Sequence, residues 1–282
     1  MQIIPHDRNF GAAILDLDLT NLSQDEIAEI RQAWLEHQVV YFPDQPLDHD
    51  QLAAFSLTVG PFGDDPYVEA IDAHDNIIEI RREPEEKVAP FGGSWHSDWS
   101  FQATPPAATI LHAKIVPPVG GDTLYADGCA AFAALSDSEQ SELMELTALH
   151  SARRPYSPQG FYASGGNERS MKIQPDESAN AVREHPLVRT HPETGREVLW
   201  VNLVYTVGIK GMSEAESAVL LKRLFEHSTE ERFIFRHGWQ ADMLTMWDNR
   251  SVQHSAQGGY DGYRRVMHRT TVQGDTPYLK SA

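Results

Sequence analysis

The stretch Gly93-Ser94-Trp95-His96-Ser97-Asp98-Trp99-Ser100-Phe101 sets an imidazole and a carboxylate two residues apart in a segment of strand-like composition. Residues i and i+2 of a strand point to the same face, so His96 and Asp98 can reach one metal ion. A third ligand is available in His254, which closes the segment Trp247-Asp248-Asn249-Arg250-Ser251-Val252-Gln253-His254. Two imidazoles and one carboxylate form the facial triad of non-heme Fe(II) oxygenases, so the pattern predicts an oxygen-activating enzyme.

The composition fits one globular domain over residues 1–282, because 282 residues with 41% hydrophobic content can bury a full core. There are 41 acidic and 23 basic side chains, a formal charge of −18, which argues against a nucleic acid or an anionic membrane as partner. No apolar run approaches the ~18 residues of a membrane span and no secretory signal opens the chain, so we expect a cytoplasmic protein. Cys129 has small neighbours and reads as inert core.

Helical and strand patterns alternate along the chain. A capping box at Ser23 predicts a helix that ends near Gln38, and a capping box at Ser213 predicts a helix over 213–227. Asp48 or Asp50 can begin another helix. A further helix is predicted at 137–149. Branched and aromatic residues predict strands at 39–42, 107–116, 122–126, 197–202, 232–237, 243–247 and 264–273. The expected architecture is a β core with helices packed around it.

Residues 155–180 mix turn formers with scattered aromatics and show no sustained period. A loop of this length in a compact domain is either a lid over a bound substrate or a mobile surface insertion. The sequence leaves both interpretations open.

Several motifs occur in an order and spacing that resemble one enzyme family, the taurine dioxygenase and 2,4-dichlorophenoxyacetate dioxygenase (TauD/TfdA) family of Fe(II)- and 2-oxoglutarate-dependent dioxygenases. The match runs nearly end to end. It implies a mainly β fold with flanking helices (α+β) around a double-stranded β-helix, or jelly-roll, cupin-like core. The motifs are Leu35-Glu36-His37-Gln38-Val39-Val40 with Asp44-Gln45, Trp95-His96-Ser97-Asp98, Thr104-Pro105-Pro106, Gly120-Gly121-Asp122-Thr123-Leu124, His185-Pro186-Leu187-Val188-Arg189-Thr190-His191-Pro192, Trp247-Asp248-Asn249-Arg250 and Arg264-Arg265-Val266-Met267-His268-Arg269.

The strand that follows His254 carries regularly spaced arginines. By strand alternation Arg265 and Arg269 share one face, and a guanidinium fork matches a carboxylate bidentately. The resemblance implies that Arg265 and Thr123 hold the distal carboxylate of 2-oxoglutarate. It also implies that Arg269 reaches the anionic group of the substrate or the other end of the cosubstrate. A plain salt-bridged arginine of the barrel wall is the better interpretation of Arg264.

The resemblance implies a reaction in which Fe(II), 2-oxoglutarate and O2 hydroxylate an anionic small molecule and yield succinate and CO2. Where the hydroxylated carbon bears a sulfonate, a sulfate ester or an ether oxygen, the product would collapse to a carbonyl compound. Asp98 is a carboxylate where related halogenating enzymes have a small residue, which favours hydroxylation. Family resemblance also implies a homo-oligomer, a dimer or a tetramer.

The polar contacts of taurine-specific members are absent from this chain. The matching positions hold Val68, Ile71, Gly92 and Pro155. A site without hydrogen-bond partners for an amine has little means of selecting taurine. We therefore expect an alkylsulfonate, a sulfate ester, an aryloxy acid or a similar acid with an apolar body.

A second class of function also fits a metal triad, namely a metal-binding β-barrel that acts as a zinc hydrolase or as a non-catalytic sensor. The sequence holds no His-Glu-x-x-His, Gly-x-Ser-x-Gly or phosphate-loop pattern, which counts against hydrolysis. A hydrolase would also have no use for Thr123 and Arg265 placed for a dicarboxylate.

Overall fold

The computed structural model describes residues 1–163 and 169–280, and over these residues the protein is a mixed α+β structure. Residues 164–168 of the loop predicted at 155–180 lie outside the described residues. The α-helices in the described part are α1 Gln24–His37, α2 His49–Val59, α3 Gly128–Ala133, α4 Asp137–Met144, α5 Arg153–Tyr156 and α6 Glu214–Ser228, and short 3-10 helices occur at Asp7–Asn9, Glu177–Asn180 and Glu231–Phe233. The strands there are β1 Gln2–Pro5, β2 Ala12–Leu15, β3 Val39–Phe42, β4 Ala70–Ile71, β5 His74–Arg82, β6 Ala108–Ile115, β7 Thr123–Asp127, β8 Thr147–His150, β9 Arg183–Pro186, β10 Val188–Thr190, β11 Glu197–Leu199, β12 Thr206–Ile209, β13 Ile234–His237, β14 Leu244–Asp248, β15 Val252–Ala256 and β16 Arg265–Val272.

Local capping chemistry begins three of the helices at the predicted places. Ser23, Asp48 and Ser213 each accept a hydrogen bond from a backbone N–H of the first turn, and each is part of a complete capping box. The helix predicted to stop near Gln38 does so, with Gln38 in the left-handed region at φ 64°. These predictions are confirmed because a cap depends only on residues three positions apart.

The helix predicted over 137–149 is wrong in its second half. Helix α4 ends at Met144, and Thr147–His150 forms β8, which pairs with β9 and β12. Ala148 and His150 are fully buried while Thr147 and Leu149 are partly exposed, which is the period of a strand. Tertiary pairing therefore overrides the helical preference of this segment.

Four sheets organise the described strands. The largest has eight strands in the order β1-β2-β3-β14-β6-β16-β5-β4, antiparallel throughout except between β2 and β3. A three-stranded sheet has the order β13-β7-β15, and smaller sheets have the orders β12-β8-β9 and β10-β11. The predicted metal ligand His254 lies on β15, and both predicted anion-binding arginines lie on β16.

An apolar core fills the space between the eight-stranded sheet and the β13-β7-β15 sheet. Leu111 and Met267 enter it from the larger sheet, and Tyr125 and Val252 enter it from the smaller one. A separate core joins α1 and α2 to the other face of the larger sheet. The larger sheet is therefore covered on both faces.

Strand β16 shows the alternation that the sequence predicts. All eight of its residues are buried, as expected for a strand covered on both faces. The ring of His268 packs 4.7 Å from the ring of His49, so that face meets α2. Arg265, Met267 and Arg269 point the other way, into the space between the two sheets.

Candidate active site

His96, Asp98 and His254 come together as the one group among the described residues whose side chains could hold a metal ion. One ligand atom from each lies within 4.8 Å of the other two. His96 Nε2 is 3.4 Å from Asp98 Oδ1, and His254 Nε2 is 4.0 Å from Asp98 Oδ2. All three side chains are buried.

A single antiparallel bridge, rather than a strand through 93–101, places the two histidines. The His96 N–H donates to the His254 carbonyl at 3.0 Å, and the His254 N–H donates to the His96 carbonyl at 2.7 Å. The chain then turns, with Trp99 at φ 47°, and the Asp98 N–H donates to Asn249 Oδ1 instead of to a neighbouring strand. The prediction that His96 and Asp98 share one strand face is wrong, because the backbone N–H of Asp98 pairs with the Asn249 side chain and not with a neighbouring strand. The turn, and not strand alternation, brings the Asp98 carboxylate to the two imidazoles.

The imidazoles are held in a state suited to metal binding. His96 Nδ1 lies 2.7 Å from the Ser94 carbonyl, which fixes the proton on Nδ1 and leaves Nε2 free to coordinate. Burial, together with His96, lowers the pKa of His254 to about 3, so that its ring is neutral at pH 7. Its Nδ1 is buried without a hydrogen-bond partner among the described residues.

Asp98 supplies the negative charge of the group. Burial alone would raise the pKa of its carboxyl, but His254 and the Arg269 guanidinium hold that pKa well below its usual range. Thr109, which no sequence pattern singles out, donates its hydroxyl proton to Asp98 Oδ2 at 2.7 Å. Two imidazoles and one carboxylate suit a divalent first-row metal such as Fe(II).

Arg265 is a buried cation without an acidic partner among the described residues. It is 6% exposed, and its Nη2 donates a long hydrogen bond of 3.4 Å to the Gly121 carbonyl, while its Nε has no partner. Burial lowers the pKa of this guanidinium. Leaving a buried charge uncompensated is costly, so an anion would be strongly stabilised here.

Thr123 opens β7 near the same guanidinium. Its Oγ1 accepts a hydrogen bond from Trp239 Nε1 at 3.0 Å, and the Trp239 ring centre lies 5.9 Å from the guanidinium carbon of Arg265. Gly121 lies against the same guanidinium at φ +75°, a backbone conformation that favours glycine. The structure thus brings Thr123 and Arg265 against the same indole.

Arg269 differs from Arg265 because its charge is already compensated. Its Nη2 donates to Asp65 at 2.6 Å, and its Nη1 lies 3.6 Å from Asp98 Oδ1. Asp65 also accepts from Trp99 Nε1 at 2.6 Å and from the Thr271 hydroxyl at 2.9 Å. Asp65 was not predicted from the sequence, because nothing in the pair Asp64-Asp65 distinguishes it from other carboxylates.

A cavity of about 1150 Å³ opens beside the triad. His96, Asp98 and Arg269 lie on its wall, and α5 and α6 contribute other parts of the wall. The wall has more apolar than polar surface, although charged side chains of α5 and α6 also contribute to it, and a concave mixed wall of this kind is typical of a small-molecule site. The aromatic side chains on the wall are Phe91, Trp95, Trp99, Tyr156, Phe161, Tyr162, Tyr205 and Phe225.

The four positions predicted to contact substrate separate into two pairs. Gly92 and Pro155 line the cavity. Val68 lies instead in an apolar cluster with Tyr67 and Tyr156, and Ile71 packs against the core beneath α2. Neither Val68 nor Ile71 is on the cavity wall.

Comparison with known proteins adds a family to this geometry. A family model described as "Taurine catabolism dioxygenase TauD, TfdA family" matches residues 2–271. The alpha-ketoglutarate-dependent 2,4-dichlorophenoxyacetate dioxygenase of Cupriavidus pinatubonensis is 34% identical over 282 residues, with 94% of this chain and 95% of that protein covered.

Two solved structures resemble the fold over nearly its full length. A taurine dioxygenase from Burkholderia xenovorans has a TM-score of 0.81 at 32% identity, with 99% of this chain and 91% of that chain covered. AAD-2, in complex with Mn(II) and N-oxalylglycine, has a TM-score of 0.77 at 28% identity, with 99% of each chain covered. In the described part of the chain, no helix is long and apolar enough to cross a membrane.

Proposed function

The chain belongs to the TauD, TfdA family and is an alpha-ketoglutarate-dependent dioxygenase, and from this premise we propose that it hydroxylates a small or medium organic acid with an apolar body. Alkylsulfonates, sulfate esters and aryloxy acids are the proposed classes, and taurine is not among them. The observation that carries the proposal is the buried His-Asp-His group beside a large cavity with an aromatic wall.

We assign the metal to Fe(II), held by His96, Asp98 and His254. The donor set supports this assignment, as does the Mn(II) bound in the similar structure of AAD-2. Bound iron and alpha-ketoglutarate (2-oxoglutarate) supply the activation of O2, and the products are succinate, CO2 and the hydroxylated substrate. Where the hydroxylated carbon carries a sulfonate, sulfate ester or ether oxygen, the product collapses to a carbonyl compound.

Arg265 and Thr123 are proposed to hold the distal carboxylate of 2-oxoglutarate. The support is the unpaired charge of Arg265, which a carboxylate would compensate with a bidentate pair of hydrogen bonds. Arg269 is proposed to orient the anionic group of the primary substrate or the keto-acid end of the cosubstrate. Its ion pair with Asp65 holds the guanidinium at the edge of the cavity.

The cavity wall supports a substrate with an apolar body. Gly92 and Pro155 offer no side-chain hydrogen bond to an amine, and the rings of Tyr156 and Tyr205 present apolar faces. Burial raises the pKa of both tyrosines well above its ordinary value, so their hydroxyls stay protonated. An aromatic ring or an alkyl chain would exclude water from this wall.

The wider architecture is proposed to be a single domain over 1–282 with the eight-stranded and β13-β7-β15 sheets as the two faces of a double-stranded β-helix. A homo-oligomer, dimer or tetramer, is proposed from the family. The loop at 155–180 contributes Pro155, Phe161 and Tyr162 to the cavity, which supports a role in covering substrate.

Succinate formation tests the proposal. The protein is supplied with Fe(II), 2-oxoglutarate and O2 and offered aryloxy acids, alkylsulfonates, sulfate esters and taurine in turn. We expect stimulation by members of the first three classes and none by taurine; the reverse result overturns the substrate assignment. Anaerobic Fe(II) with 2-oxoglutarate should give a weak visible charge-transfer band that is lost in His96→Ala, and its survival there overturns the metal assignment.

A further inference from the structure

The two oxygens of the Asp98 carboxylate have different surroundings. Oδ2 accepts a short hydrogen bond of 2.7 Å from the Thr109 hydroxyl. Oδ1 accepts no hydroxyl hydrogen bond; it lies 3.4 Å from His96 Nε2 and 3.6 Å from Arg269 Nη1. A hydrogen bond to Oδ2 occupies a lone pair of that oxygen, so Oδ1 is the better placed of the two to bind a cation.

The direction of the Thr109 hydrogen bond is fixed by Asn249. Asn249 Nδ2 donates to Thr109 Oγ1 at 2.8 Å, so the single hydroxyl proton is free to go to Asp98. The Asn249 amide cannot be flipped, because its Oδ1 accepts from Trp247 Nε1 at 3.0 Å and from the Asp98 N–H at 3.3 Å. The side-chain donors of Asn249 and Thr109 therefore run in one direction, from Asn249 Nδ2 to Thr109 Oγ1 and from the Thr109 hydroxyl to Asp98 Oδ2.

Rigid elements hold the chain of hydrogen bonds in place. Thr109 lies on β6 directly opposite Trp247 of β14, and the Asn249 N–H donates to the Ala107 carbonyl at 2.9 Å. Thr109 is fully buried and Asn249 is 1% exposed. A side chain locked by packing and by a second partner is what precise ligand placement requires.

We propose that Thr109 and Asn249 are positioning residues for the metal, which fix the orientation of the Asp98 carboxylate beside the two imidazoles. The proposal rests on the metal site assigned above. Thr109 and Asn249 are not proposed as ligands of the metal, and both act through the Asp98 carboxylate. Loss of such a partner typically weakens metal binding about 10- to 100-fold.

The test measures Mn(II) binding to the full chain by electron paramagnetic resonance, without any turnover. Thr109→Val keeps the shape of the side chain and removes the hydroxyl, and Thr109→Ser restores the hydroxyl. The matched control is Thr245→Val, which removes another fully buried hydroxyl of the same sheet, one that pairs with His237 Nε2 at 3.0 Å and not with Asp98. Thr109→Ala serves as a second hydroxyl-free variant if valine hinders folding.

We expect Mn(II) affinity to fall at least 10-fold in Thr109→Val and Thr109→Ala and to stay within threefold of wild type in Thr109→Ser and Thr245→Val. Wild-type affinity in either hydroxyl-free variant overturns the proposal, as does an equal loss in Thr245→Val. Failure of the metal assignment looks different, because His96→Ala would then leave Mn(II) binding unchanged. If His96→Ala loses Mn(II) binding while Thr109→Val keeps wild-type Mn(II) affinity, the metal assignment stands and only the positioning role is refuted.

Discussion

Arg265 and Arg269 provide a matched pair of substitutions, because they are two buried arginines on one face of β16 that differ in their partners. Asp65 pairs with Arg269 at 2.6 Å, whereas Arg265 has no acidic partner among the described residues. We predict that methionine, which fills a similar volume without charge, has opposite effects on the stability of the metal-free protein at the two positions.

The magnitudes follow from the burial of the two charges. Arg269→Met leaves Asp65 and Asp98 without their shared cation, and breaking a buried ion pair from one side costs about 3 to 5 kcal/mol. Arg265→Met removes an unpaired buried charge, so the free energy of unfolding is expected to stay constant or to rise by up to about 4 kcal/mol. Urea denaturation of the metal-free variants measures both values.

For 2-oxoglutarate binding we predict the opposite consequence at Arg265, because the substitution that does not lower stability should weaken binding of the cosubstrate. Two charge-assisted hydrogen bonds at about 1.5 to 3 kcal/mol each are lost in Arg265→Met, which raises the Kd of 2-oxoglutarate about 10²- to 10⁴-fold. Arg265→Lys keeps the charge but loses the planar fork, so a rise of about 10- to 100-fold is expected. Calorimetric titration with 2-oxoglutarate in the presence of Mn(II) measures these values.

Two results would refute this reasoning. If Arg265→Met binds 2-oxoglutarate within threefold of wild type, Arg265 is not the anchor of the distal carboxylate. If the same variant loses several kcal/mol of stability without metal, the charge of Arg265 is already compensated in the free wild-type protein and is not left available for an anion. The contrast with Arg269→Met separates both results from a general intolerance of β16 to substitution.

Three further predictions concern the surroundings of the site. Gly92→Ala places a methyl group 3.3 Å from His96 Cε1 at φ +71°, so we expect a loss of about 1 to 2 kcal/mol in stability and weaker Mn(II) binding in the resonance assay. Burial, with His6, lowers the pKa of His237 to about 3, so only the unfolded chain takes up this proton below its ordinary pKa near 6.5 and stability falls as the pH drops through that window. His237→Gln should reduce the slope of unfolding free energy against pH by about 1.4 kcal/mol per unit in urea denaturation between pH 4 and 6, and an unchanged slope would contradict it. Burial, together with Asp127, raises the pKa of the Cys129 thiol, so a thiol reagent should react with it only after unfolding.

Secondary structure was predictable where its cause is local. The caps at Ser23, Asp48 and Ser213 act over three residues, so the sequence alone locates those helix starts. Strand β8 has no such local cause, because it is a strand only through its pairing with β9 and β12. The short strands near the N-terminus, β1 and β2, were missed for the same reason.

The candidate site was predictable in its ligands and not in their supports. The motif around His96 identifies the triad, although a bridge and a turn replace the expected strand. Asp65 lies 34 residues before Trp99 and 204 before Arg269, and no spacing rule connects such positions. The role of Thr109 depends on the register of β6 against β14, which only the folded sheet provides.

The buried charges of the site bear on how strongly the metal, the cosubstrate and the substrate each bind. Asp65 and Asp98 both lie against Arg269, whereas Arg265 has no acidic neighbour among the described residues, although the formal charges of the four groups sum to zero. A divalent metal and the dianion of 2-oxoglutarate preserve that neutrality only when both are bound, and each therefore favours the binding of the other. Because Arg269 is already shared between Asp65 and Asp98, we expect it to orient an anionic substrate rather than to contribute most of the binding free energy. Under the proposed function, selection would then depend on the aromatic wall and on Gly92 and Pro155, and we expect a ring or an alkyl chain to be favoured over the amine of taurine.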